Sequence, residues 1–129
     1  MSDRIAFWTN PPVPDGSELV ISVTGSTAKK LVTAHPFLLR GDGLEQSFPD
    51  SAVQPGPLTV ELESPHTYSM LLDLVFTTSG TAQVTAELIA PNGRRIPPDN
   101  ATDPVFDSSV AGSEGQTLGL TFFIVTAME

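Results

Sequence analysis

Apolar and polar positions alternate with a period of two along most of this chain. Leu58, Val60 and Leu62 take turns with Thr59, Glu61 and Glu63, which predicts a strand with one wet face. Tyr68, Met70, Leu72, Leu74 and Phe76 form an apolar row that alternates with Ser69, Leu71, Asp73, Val75 and Thr77. After Thr78-Ser79-Gly80, the row Ala82, Val84, Ala86, Leu88 and Ala90 alternates with Thr81, Gln83, Thr85, Glu87 and Ile89. Two such runs joined by a short Gly-containing loop predict a β-hairpin. Pro91-Asn92-Gly93 then ends the second run in a tight turn, because Asn-Gly accepts positive φ angles. Arg94-Arg95-Ile96 begins a returning strand that Pro97-Pro98 stops.

Other strands follow from the same pattern. Leu19-Val20-Ile21-Ser22-Val23 comes after the turn signal Pro14-Asp15-Gly16. Lys30 to Ala34 and Phe37 to Arg40 make two short candidates broken at His35-Pro36. The stretch 27–35 also admits a helix capped by Ser26 or Thr27, against which β-branched Val32 and Thr33 count. The last strand carries Leu118, Leu120, Phe122 and Ile124 on one face and Gly119, Thr121, Phe123 and Val125 on the other. Between the strands, 8–17, 41–57 and 97–116 read as long, polar, Pro-rich connections, a kind of loop that is often functional.

About seven to eight short strands separated by turn signals predict an all-β fold, an antiparallel β-sandwich of jelly-roll or immunoglobulin-like kind. A closed β-barrel is the alternative. The whole of 1–129 is expected to be one domain, with a Pro-rich N-terminal arm at 1–17 and an acidic loop at 97–116. With 129 residues, 40% of them hydrophobic, the chain can bury one core, and its 12 prolines and 10 glycines favour turns over helices.

In two strands the apolar positions exceed what one buried face needs. Leu71 and Val75 lie on the second face of their strand around Asp73, and Phe123 and Val125 on the second face of the last strand. A sandwich strand usually buries one face and wets the other. These second faces are therefore expected either at a sandwich corner, under a long loop such as 41–57, or in a subunit or partner interface. Asp73 also fits a charge placed to discourage unwanted edge pairing. Trp8 is read as packing on its own domain, as an exposed platform, or as part of an arm docking on a neighbour.

Charge and composition narrow the chemistry. Six Lys and Arg against 15 Asp and Glu give a net charge of −9, which argues against a nucleic-acid surface. The absence of cysteine removes disulfides, thiolate metal sites and cysteine nucleophiles. The start of the chain meets Thr9-Asn10-Pro11-Pro12 before a signal-type apolar stretch develops, and the run Phe122-Phe123-Ile124-Val125 is far too short for a membrane span. A cytoplasmic protein or a component of a particle is the expectation.

Several small constellations are candidates for chemistry. Asp99, Asn100, Asp103 and Asp107 sit in one Pro-bounded stretch, and calcium takes oxygen ligands of this kind, although no EF-hand spacing is present. A solvated acidic loop is the competing account. His35 and His66 both adjoin prolines and lack a GxSxG or HExxH partner motif. Glu61 and Glu63 share a strand face about 7 Å apart, which falls within the range of an inverting glycosidase pair but is equally common solubility patterning. Arg40-Gly41-Asp42, Asn100-Ala101-Thr102 and Gly112-Ser113-Glu114-Gly115 match short adhesion, glycosylation and phosphate-loop patterns too brief to carry weight. The sequence points first to a non-enzymatic β-sandwich working through protein contacts, as a homo-oligomer or with a protein partner. A carbohydrate-binding, lectin-like module, assisted by calcium, is the alternative; a small hydrolase comes last.

Overall fold

The computed structural model of the protein describes residues 4–25, 32–53, 57–99 and 102–126. Its strands, in chain order, are β1 (Arg4–Val13), β2 (Glu18–Gly25), β3 (Val32–Arg40), β4 (Glu45–Ser47), β5 (Leu58–Glu61), β6 (Thr67–Phe76), β7 (Gly80–Ile89), β8 (Arg95–Ile96), β9 (Val105–Gly112) and β10 (Thr117–Thr126). A single-turn helix, α1 (Asp50–Val53), packs buried Val53 against β3 and β2. The strands form two sheets, one ordered β1-β10-β6-β3-β4 and the other β5-β2-β7-β8, with β9 also paired to β7. Both sheets end in edge strands, so this is a β-sandwich and not a closed barrel.

Alternation along each strand sets the core. Tyr68, Met70, Leu72, Leu74 and Phe76 of β6 and Leu118, Leu120, Phe122 and Ile124 of β10 point inward from the five-stranded sheet. Leu19, Ile21 and Val23 of β2 and Ala82, Val84, Ala86 and Leu88 of β7 meet them from the other sheet. Burial of this kind contributes on the order of 1.5–3 kcal/mol for each large aliphatic or aromatic group.

The expected hairpin between the runs at 68–76 and 82–90 does not form. β6 pairs with β3 and β10, whereas β7 pairs with β2, β8 and β9 in the opposite sheet. The connecting residues Thr77-Thr78-Ser79 carry the chain from one layer to the other. Period-two alternation is the same whether the next strand lies beside its predecessor or faces it across the core, so the pattern could not separate the two. The other turn signal holds: Ala90 N–H donates to the Arg94 carbonyl (2.8 Å), Gly93 has φ of 88°, and β8 returns beside β7.

Further corrections concern prolines and loops. β3 runs unbroken through His35-Pro36, and no helix forms over 32–35; the earlier part of that stretch, through Leu31, lies outside the described residues. Pro36 is tolerated because its carbonyl, and hence its ring nitrogen, faces the side where β4 has ended; there the carbonyl accepts from Phe48 N–H at 3.1 Å. The expected connections 8–17 and 97–116 contain much of β1 and all of β9, and 41–57 contains β4 and α1. The sandwich is also not wholly antiparallel, since β1 runs parallel to β10.

Candidate functional site

The outward side chains of the five-stranded sheet line up in rows fixed by strand register. One row runs Ile5, Thr121, Leu71, Phe37, Ser47 across all five strands. The next runs Phe7, Phe123, Ser69, Leu39, Glu45. Ile5 and Phe7 are 54% and 45% exposed, and Leu71, Phe37, Phe123 and Leu39 are half-buried. The rings of Phe7 and Phe123 meet edge to face with centroids 6.2 Å apart. Six large apolar groups thus share two adjacent rows of this face, with Thr121 and Ser69 between them.

The remaining rows are polar or mixed. Gly119, Asp73 and His35 form one, with Asp73 and His35 exposed, and Thr117, Val75 and Thr33 form the next. The outer side of the other sheet is different in character. There Glu18 stands opposite Glu61 and Ile89, Thr85 opposite Ser22 and Asp107, and Gln83 opposite Ser109 and Thr24. Arg95 pairs with Glu87 on that side at 2.5 Å. The large apolar and aromatic side chains are concentrated on the outer face of the five-stranded sheet, while the other outer face carries the smaller apolar groups Val20, Ile89 and Val105 among polar ones.

Of the residues singled out for an interface, Leu71 and Phe123 lie in the two apolar rows. Val75 is separated from them by the Asp73 row, and Val125 lies at the far end beside Thr67. Trp8 points into the core: it is 1% exposed, packs near Phe122, and its indole N–H donates to the Ile96 carbonyl at 2.8 Å. Ile5, Phe7, Phe37 and Leu39 share those two rows and were not singled out from the sequence. The first two sit on a strand read as a Pro-rich arm, although Ile5-Ala6-Phe7-Trp8 already has two apolar faces in the sequence. The last two fall beyond the break expected at Pro36, which hid the face they share with the rest of β3.

The acidic stretch is partly gathered. Asp99, Asp103 and Asp107 border a groove of about 380 Å3 together with Ile5, Phe7, Val105 and Phe106. Each carboxylate already serves the fold. Asp99 accepts from Thr9 N–H (3.0 and 3.2 Å) and from the Thr9 hydroxyl, Asp103 accepts from Val105 N–H (3.0 Å), and Asp107 accepts from the Gln83 amide. Asn100 lies outside the described residues. Among the described residues no group of three His, Cys, Asp or Glu side chains could hold a metal ion.

The other candidates are dispersed. His35 stands on the outer face opposite Asp73, while His66 precedes β6 and packs edge to face on Tyr68. Glu61 and Glu63 border a groove with Arg40 and Phe48, and Arg40 engages Glu63 at 3.3 Å. Arg40 and Asp42 satisfy one another through two contacts of 2.8 Å across the β3–β4 turn, so the Arg-Gly-Asp tripeptide presents no free ends. That hydrogen-bonded pair lowers the Asp42 carboxyl to about 2 and raises the Arg40 guanidinium further. Gly112 to Gly115 form the β9–β10 turn, and of Asn100-Ala101-Thr102 only Thr102 is described. No helix among the described residues is long and apolar enough to cross a membrane. No protein-family model matches the chain, and neither a curated protein nor a solved structure matches it.

Proposed function

We propose that this protein is a non-enzymatic β-sandwich that acts through protein–protein contacts, as a self-associating component of an assembly. The observation that supports it is the difference between the two outer faces: on one sheet Val20, Ile89 and Val105 stand among Glu, Gln, Ser and Thr side chains, and on the other Ile5, Phe7, Phe37, Leu39, Leu71 and Phe123 share two adjacent rows. Continuous exposed apolar surface is uncommon on monomers, and aromatic residues at its centre are the usual composition of a protein contact. These side chains lie outside the buried core of the inner faces. Molar mass and thermal melting of Leu71→Glu, measured together, test this. A lower mass with a nearly unchanged melting temperature supports the proposal; an unchanged mass, or melting depressed as for a core residue, contradicts it.

A carbohydrate-binding role has one feature in its favour, the groove where Phe106 and Phe7 lie beside Asp99, Asp103 and Asp107. Rings that stack on a sugar and carboxylates that accept its hydroxyls are the required chemistry. A thermal shift with a glycan, reversed by a competing sugar, would move this reading to first place.

A further inference from the structure

We infer that the outer edge of β9 is a strand-addition site for an extended, basic segment of another protein. This goes beyond the function proposed above and does not depend on it, since it concerns the other sheet and a different partner. Three features carry it.

The first is an open row of backbone groups. Facing residues of antiparallel strands alternate between exchanging hydrogen bonds and exchanging none. On this side of β7, Ala90 N–H donates to the Arg94 carbonyl, so the bonding pairs continue as Leu88 with Ile96, Ala86 with Phe106, Val84 with Ser108 and Ala82 with Val110. Val105 agrees with this phase, because its N–H donates to the Asp103 carboxylate and not to Glu87. Asp107, Ser109 and Ala111 therefore turn their N–H and C=O groups away from β7, to a side where no described strand lies. An edge of this kind is what a further strand pairs with.

The second is that the other edges are guarded or short. At β1 the Phe7 carbonyl accepts from Asp99 N–H and Thr9 N–H is held by the Asp99 carboxylate, with Pro11 and Pro12 beyond. β4 spans three residues and β8 two. β5 spans four, begins directly after Pro57, and leads to Glu63, whose N–H donates to the Tyr68 hydroxyl. β9 runs for eight residues without proline, lysine or arginine.

The third selects the partner. Asp103 precedes β9, Asp107 lies on it, Glu114 stands in the turn that follows, and no Lys or Arg comes after Arg95. A basic strand gains from these charges along the whole edge, whereas the β9 of a second copy would bring the same acids against them. Beside the edge, Val105 and Phe106 share a groove with Ile5 and Phe7 of β1. Successive side chains of an added strand point to opposite faces. Apolar residues thus enter the groove, and lysine or arginine at the alternate positions lies beside Asp107 on the outer face.

Amide exchange followed by NMR tests this with a short synthetic peptide of alternating lysine and valine, compared with its glutamate–valine counterpart. In the protein alone, the amides of Asp107, Ser109 and Ala111 are expected to exchange quickly and those of Phe106, Ser108 and Val110 slowly. The lysine peptide is expected to slow the first three, and the glutamate peptide to leave them unchanged. Ala111→Pro removes one outward N–H at an exposed position, a change that an edge strand tolerates. Folded by circular dichroism, it should bind the lysine peptide about tenfold more weakly. No slowing by the lysine peptide, or binding that Ala111→Pro leaves intact, would overturn the strand-addition site. Equal effects of the two peptides would overturn the basic partner. Slow exchange of the three amides in the protein alone would show the edge already covered and overturn the proposal, with a second copy as the occupant if dilution restores fast exchange. If the proline variant fails to fold, Asp107→Lys is expected to weaken binding of the lysine peptide, and unchanged binding would count against the site.

Discussion

Phe7 and Phe123 meet edge to face across the parallel β1–β10 pair, their planes at 72°, on the outside of the sheet. The contact joins the first described strand to the last and lies on the outer face rather than in the core. Phe123→Glu is therefore expected to reduce the mass in solution while lowering stability by no more than about 1 kcal/mol, in keeping with a surface change. Light scattering and a thermal melt of the same sample check both.

Trp8 on the same strand gives the opposite outcome. Trp8→Phe removes a buried donor from the Ile96 carbonyl and leaves space beside Phe122. A loss of about 1–3 kcal/mol is expected from the orphaned acceptor alone, with the mass in solution unchanged. Denaturant melts followed by circular dichroism read this directly.

Gly112 lies against the core. A Cβ there would come within 2.5 Å of the Phe76 ring, which is 1% exposed and has nowhere to move. Gly112→Ala should cost about 1–3 kcal/mol through overpacking. Gly93→Ala meets no atom within 4 Å, but its φ of 88° makes the change unfavourable by about 1 kcal/mol. Equilibrium unfolding of both variants should rank Gly112→Ala as the more damaging.

Asp99 links the acidic stretch to β1. Asp99→Ala removes the acceptor for Thr9 N–H and its hydroxyl, and a loss of about 1–3 kcal/mol is expected. Because the three aspartates are engaged by protein donors, calcium and EDTA should leave the wild-type melting temperature the same. A calcium-induced rise would contradict that assignment.

Asp42 provides the pH dependence. Its folded-state value of about 2 lies below the unfolded one, so the stabilising contribution is present above the unfolded value and is lost as pH falls through about 2. The Arg40–Asp42 contact should persist at pH 3. Carboxyl NMR should place the Asp42 midpoint near 2 in the wild type and near the ordinary range in Arg40→Gln.

The fold class and most strands were legible because burial on one face imposes period two, and the Asn92-Gly93 turn because of its backbone demands. What escaped was pairing. Whether β6 and β7 lie side by side or face to face depends on contacts from β3, β10, β2 and β9, none of which is local. The apolar face was half legible: Leu71 and Phe123 interrupt otherwise polar rows, but their neighbours Ile5 and Phe37 depend on the parallel β1–β10 register and on Pro36 sitting inside a strand. In the acidic stretch the sequence shows carboxylates, and the donors that Asp99, Asp103 and Asp107 meet become visible only in the structure.

On the proposed function, the outer face of the five-stranded sheet drives self-association. Molar mass by size exclusion with light scattering, across a tenfold dilution, tests it most directly with wild type beside Leu71→Glu. The expected result is the 13.7 kDa monomer mass for the variant and a stable multiple of it for the wild type. A wild type that stays monomeric throughout the dilution would contradict it.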